Sequence, residues 1–246
     1  MDVSRLPPAL RVLWSRQQHP RRGPRPALSV DAVVRAAIDI ADADGLGAVS
    51  MSRVAERLGF TPMSLYRYVK NKDELLLLMT DAANEAPPSW PTPEDWRRGI
   101  EEWARAIFAA YRRHPWLLQV PISGPPAGPS QLGWMEAGLQ NLAGVDLHEG
   151  HKLQIIQLLH GYVRGEAQLS TELSRPDPKA DTAATYGAII RAVIDPDTHP
   201  ALTRLVGSGL LDGPTDYDED ADFGFGLSTI LDGVALLIER VDPKPA

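Results

Sequence analysis

The sequence predicts an all-α protein in two unequal parts. Apolar residues recur at three- and four-residue spacing in segment after segment. No stretch alternates apolar and polar residues for long enough to make a strand, and no internal repeat is visible. The run Pro87-Pro88-Ser89-Trp90-Pro91-Thr92-Pro93 divides the chain. On that division residues 1–27 form a basic Pro/Arg-rich arm, 28–82 a small three-helix N-terminal domain and 83–246 a larger helical bundle.

Composition narrows the function classes. The 246 residues contain no cysteine, so a disulfide framework and a thiolate metal site are both excluded. No apolar run approaches the roughly 18 residues of a membrane span, and the first thirty residues lack the apolar core of a signal peptide. The expectation is a cytoplasmic protein that meets no membrane. The net charge of −7 is unevenly spread. Residues 1–80 hold 12 Lys and Arg against 8 Asp and Glu, whereas residues 81–246 hold 13 against 24. A positive end on a negative body suits a nucleic-acid reader, because cations neutralise phosphates while like charge keeps the body off the duplex.

Pro7-Pro8 can open a short helix carrying Leu10, Leu13 and Trp14. The prolines of His19-Pro20-Arg21-Arg22-Gly23-Pro24-Arg25-Pro26 forbid its continuation and predict a flexible basic arm. Ser29 is an N-cap for a helix whose Val30, Val33, Val34, Ala37 and Ile40 share one face, and Gly45 and Gly47 stop it. Ser50 caps a short helix bearing Val54, Ala55 and Leu58, followed by Gly59, which can adopt a left-handed conformation. Thr61-Pro62 pairs a cap with proline at the first helical position and predicts a third short helix through Val69. A fourth helix begins at Asn71 or Lys72 and buries Leu75, Leu76, Leu77, Leu78 and Met79 against the first three. Beyond the junction the spacing predicts helices near 94–113, 131–144, 147–173, 182–195 and 221–241, with shorter ones near 115–120 and 199–208.

Two short helices joined by a tight glycine turn make a helix-turn-helix. Ala55 is small enough for the third helix to cross closely over the second, Gly59 makes the turn, and Leu65 seals the crossing. Met63, Ser64, Tyr66, Arg67 and Tyr68 can face outward while Leu65 and Val69 face in. A major groove admits one helix, whose N-terminal side chains reach base edges. Thr61, Pro62, Ser64 and Arg67 are therefore candidates for base reading, with Arg67 equally suited to a phosphate; Met63 stands beside them. Tyr66, Tyr68 and Lys72 suit phosphates, Lys72 at a helix N-terminus, and Ser52 and Arg53 can hold the second helix to the backbone.

The run from Ser29 to about Ala82 resembles the DNA-binding domain of the TetR repressors. The match is closest in Leu58-Gly59-Phe60-Thr61-Pro62-Met63-Ser64-Leu65-Tyr66-Arg67-Tyr68-Val69-Lys70-Asn71-Lys72-Asp73-Glu74-Leu75. A second likeness, to the C-terminal domain of the tetracycline-repressor branch, lies in Phe223-Gly224-Phe225-Gly226-Leu227-Ser228-Thr229-Ile230-Leu231-Asp232-Gly233-Val234. The resemblance implies a homodimer on a palindromic operator in double-stranded DNA, released by a small, largely apolar effector. The basic arm departs from the family pattern; its role stays open between entering a minor groove and serving as a tether.

In the C-terminal part Trp103, Phe108, Tyr111, Trp116, Trp134, Met135, His160 and Tyr162 are candidates to line an effector cavity. Ile156, Leu159, Val163 and Ala167, with Leu227, Ile230, Leu231, Val234 and Leu237, form the two stripes that the resemblance assigns to the dimer interface. His148-Glu149-Gly150-His151 lacks the four-residue histidine spacing of a zinc helix, so no metal is expected, and no cofactor. An enzyme would need an acid, base or nucleophile cluster, a phosphate loop or a nucleophile elbow; the sequence has none, so catalysis is not expected. A DNA-binding activator or architectural protein without an effector is the alternative.

Overall fold

The computed structural model describes residues 3–18, 28–87, 95–122, 124–173, 186–211 and 219–241, and these contain helices and turns but no strand. The helices are α1 Pro8–Gln18, α2 Val30–Asp44, α3 Met51–Leu58, α4 Pro62–Leu65, α5 Lys72–Ala83, α6 Trp96–Arg113, α7 Pro129–Asn141, α8 Glu149–Leu173, α9 Tyr186–Val193, α10 Pro200–Gly207 and α11 Glu219–Val241. Single 3-10 turns occupy Leu46–Ala48 and Pro115–Gln119.

The head is built from α2 to α5. Caps set its boundaries: the Ser29 and Ser50 hydroxyls accept the N–H groups of Ala32 and Arg53, and the Asn71 side chain accepts that of Glu74. Gly59 takes the left-handed conformation, φ 73°, so that its N–H reaches Glu56 O and that of Phe60 returns to Ala55 O. The third helix is shorter than the spacing predicts. It is regular only over Pro62–Leu65, after which the N–H groups of Tyr68 and Val69 both turn back to Leu65 O. Val69 is fully buried, and this tightened turn is what brings it inward.

The body is organised around α8, which packs against α6, α7 and α11. Gly138 marks the closest approach: a Cβ there would lie 2.8 Å from Ile156 Cδ1 and 3.1 Å from the Trp103 ring. The predicted starts near 131 and 94 move to Pro129 and Trp96. Gln131 Oε1 accepts the N–H groups of Ala127 and Gly128, and Asp95 accepts that of Arg97. By length and composition alone α11 would pass for a membrane span. Run length missed it because acidic residues and glycines interrupt the sequence. Its Phe223, Leu227, Leu231 and Val234 are buried in the protein's own core.

Part of the N-terminal arm is built into this structure. Helix α1 packs on α5 and α7, with Leu13 buried and Trp14 Nε1 donating to Ala127 O at 3.0 Å. The rest of the arm, 19–27, and most of the Pro-rich junction lie outside the described residues.

Head and body are tied by partly buried polar contacts. Asp42 Oδ1 on α2 accepts from His114 Nδ1 and from Trp116 Nε1, each at 2.7 Å. A carboxylate only accepts, so the His114 proton must sit on Nδ1. Asp81 Oδ1 on α5 accepts from the Ser130 N–H and hydroxyl at the start of α7. Removing the shared acceptor orphans two buried donors, so Asp42→Ala should cost about 1–3 kcal/mol of stability. Urea unfolding of this variant, compared with the exposed control Asp73→Ala, measures it.

Candidate nucleic-acid interface

Leu65 and Val69 are fully buried, which fixes the opposite face of the α4 turn toward solvent. Met63 stands there with 76 % of its surface exposed, beside exposed Thr61, Pro62, Tyr66 and Arg67; Ser64 and Tyr68 are half-buried. Thr61 starts α4 without a side-chain cap bond, because its hydroxyl lies 3.0 Å from that of Ser64. Two hydroxyls thus pair at the N-terminal tip of α4, each able to donate or accept toward a base edge. Arg67 and Lys72 have no hydrogen-bond or ion-pair partner among the described residues. Ser52 and Arg53 are exposed at the start of α3. Arg53 pairs with Asp44 at 2.5 Å and Arg57 with Asp39 at 3.3 Å. Exposed pairs of this kind are worth at most about 1 kcal/mol, so either arginine is readily exchanged to a phosphate.

The eight aromatic and polarizable candidates in the body are engaged in packing. Trp103 Nε1 donates to Trp134 O at 2.9 Å, and Trp134 Nε1 donates to the carbonyls of Asn84 and Glu85 at 2.8 and 3.2 Å. Phe108 stacks on Phe223 with centroids 4.2 Å apart, and the Tyr162 hydroxyl donates to Phe223 O. Met135 is half-buried on α7. The Tyr111 hydroxyl lies 3.3 Å from His160 Nε2, and the Arg164 guanidinium sits over the Tyr111 ring while donating to the carbonyls of Leu118 and Val120. Neither the cavity between α5, the 46–49 turn and Gln119 nor the smaller one between α1, α5 and Gly128 includes any of the eight.

Trp116 and Trp134 reach out of the body to the head and its exit, a role that spacing did not reveal. Their partners Asp42, His114 and Glu85 were missed too, because each contact joins residues roughly 50 to 75 positions apart. Glu85 is the one described non-glycine residue with positive φ, 45°, and it lies where the chain leaves the head.

The residues of the two predicted dimer stripes divide by burial. Ile156, Leu159, Val163, Ala167, Leu227, Leu231 and Val234 are buried in the subunit's own core, and Ile230 and Leu237 pack against it half-buried. A helical apolar stripe is the signature of a core and of an interface alike, and here the clearest stripes are core. The solvent side of the same two helices carries Leu158, Leu169 and Leu173 on α8 and Leu236 and Phe225, 78 % exposed, on α11. At the start of α8, His148 Nδ1 accepts the Gly150 N–H, so that nitrogen serves the helix end.

Two family models match the chain: the bacterial regulatory proteins of the tetR family over residues 29–79, and the tetracyclin repressor-like C-terminal domain over 90–238. The HTH-type transcriptional repressor DrrR1 of Streptomyces coeruleorubidus is 40 % identical over 97 % of this chain and 88 % of its own. The apo structure of ActR from Streptomyces coelicolor superposes with a TM-score of 0.71 at 28 % identity, covering 88 % of this chain and 99 % of that one. ActR in complex with actinorhodin gives 0.68 at 30 % identity, covering 85 % and 95 %.

The His160 ring adds a pH dependence. Burial first, and the Arg164 charge second, hold its pKa below the ordinary 6.5. The unfolded chain takes up a proton there near pH 6.5 that the native state refuses, so stability is present above pH 6.5 and is lost as the pH falls below it. His160→Gln should flatten this acid-side loss in denaturant titrations run from pH 7.5 to 5.

Proposed function

The chain belongs to the TetR family of transcriptional repressors, and from that premise we propose that it binds a palindromic operator as a homodimer and is released by a small, largely apolar effector. Residues 28–82 serve as reading head and 83–246 as the dimerising, effector-binding body. The observation that carries this reading is the α4 turn, held from beneath by Leu65 and Val69, with Met63, Tyr66 and Arg67 exposed above them. Such a protein works in the cytoplasm, where its DNA is.

In this reading Thr61, Pro62, Met63, Ser64 and Arg67 face base edges, while Tyr66, Tyr68, Lys72, Ser52 and Arg53 hold phosphates. The second copy docks on the solvent sides of α8 and α11. There Leu158, Leu169 and Phe225 would otherwise stay in water, and Gly161, Gly165 and Gly233 leave open space for a close helix. A two-fold dimer presents two heads to half-sites about one helical turn apart.

ActR, in complex with actinorhodin and with (S)-DNPA, supports a small-molecule effector for the body. Tyr111, His160 and Arg164, which contact one another in the body, would supply its polar contacts once the packing around them opens. Occupancy that shifts α6 and α7 reaches the head through Trp116 on Asp42 and Trp134 on the hinge at Glu85. Effector and operator then weaken each other's binding by the same factor.

Fluorescence anisotropy on duplexes from the flanking DNA tests the reading. Lys72→Ala should weaken all sequences and lower the salt slope by about one, whereas Ser64→Ala should mainly relax base preference. Parent-like binding by both would refute the assigned face. Sedimentation of Leu158→Glu/Phe225→Glu should give a folded monomer with weakened operator affinity; an intact dimer would refute the assigned interface.

A further inference from the structure

A cavity of about 260 Å³ lies between head and body, bounded by α5, by the turn at 46–49 and by Gln119. Leu46 and Leu76 form apolar walls, backed by the buried Val49, Leu75 and Met79. Two residues with polar side chains line it, Lys72 from the first turn of α5 and Gln119 from the body; both are exposed, and neither has a hydrogen-bond partner among the described residues. Both can donate, and Lys72 carries a positive charge. Apolar walls with a few convergent polar groups are the composition of a small-molecule site. None of the body's effector candidates touches it.

We propose that this cavity is a second binding site, specific for a small monocarboxylate with a short alkyl chain. The carboxylate takes N–H donors from Lys72 and Gln119, and the apolar part fills the space between α5 and the 46–49 turn. The volume falls just below the roughly 300–1,000 Å³ usual for drug-sized ligands, which sets the occupant's size. One consequence rests on the reading under Proposed function: Lys72 cannot neutralise a ligand carboxylate and a DNA phosphate at once. Occupancy of the cavity therefore opposes DNA binding directly at the head, without passing through the body.

The test uses the full chain with octanoate as probe and octan-1-ol and octylamine as matched controls, first by calorimetry without DNA. Octanoate should bind once per subunit. Lys72→Gln should weaken it about tenfold or more, the effect of losing a charged hydrogen bond, and leave octan-1-ol within about twofold. Gly47→Leu should weaken both, since Gly47 lines the cavity and a Cβ there meets nothing within 4 Å. Circular dichroism checks its folding, and Leu76→Trp repeats the blockade from α5. Absence of octanoate binding, equal binding of octylamine, or binding unchanged in Lys72→Gln and in the cavity-filling variants would each overturn the site. With operator DNA present, octanoate should displace the parent and not Gly47→Leu. Lys72-dependent octanoate binding by a chain that ignores all duplexes would leave the site standing and refute the regulatory reading instead.

Discussion

The outward face of α4 depends on the burial of two side chains, Leu65 and Val69. Helix α4 is a single turn and has no stability of its own; short helices in water are marginal at best. It persists because Leu65 at its end and Val69 beyond the following turn are both sunk into the head, with Val54 and Ala55 of α3 buried alongside. Burial of an aliphatic side chain stabilises by about 1.5–3 kcal/mol, and two such burials anchor the turn at its end and beyond it. The outward face is the geometric complement of that inward pair. The exposure of Met63, Tyr66 and Arg67 is what helical periodicity leaves over once Leu65 and Val69 are placed.

The same economy governs the connection between head and body. Large aromatic side chains bury area and carry one polar atom that must find a partner. Here the indole N–H groups of Trp116 and Trp134 find theirs across the boundary, on Asp42 and on the carbonyls where the chain leaves α5. Packing the body thereby fixes the pose of the head. Glu85, left-handed without being glycine, sits in that connection and is held by Arg113 as well as by Trp134. Strain of this kind persists only where the surroundings over-determine it.

How much of this was legible in the sequence follows from the range of the interactions. Caps and turns are local, so Ser29, Ser50, Gly59 and Asn71 announced the head to within a residue. The length of α4 was overestimated because the turn at Tyr66–Tyr68 answers to the burial of Val69, a tertiary demand. In the body, periodicity found α6, α8 and α11 but could not tell core from interface. The stripe of Leu159, Val163, Leu227 and Leu231 faces inward, while Leu158, one position from Leu159, and Phe225, two from Leu227, face out. Trp116 and Trp134 looked like pocket lining because sequence reveals an aromatic residue but not where its N–H points. The first helix was visible in Pro7-Pro8 and Leu13, yet its docking on α5 and α7 rests on Trp14 reaching Ala127, more than a hundred residues away.

The central claim is that the outward face of α4 lies in a major groove, twice per dimer. Methylation footprinting addresses it directly, since dimethyl sulfate modifies guanine N7 in the major groove and adenine N3 in the minor groove. The account predicts protection of guanine N7 in two clusters about one helical turn apart, on one face of the duplex. Protection confined to adenine N3, or a single unpaired cluster, would contradict it.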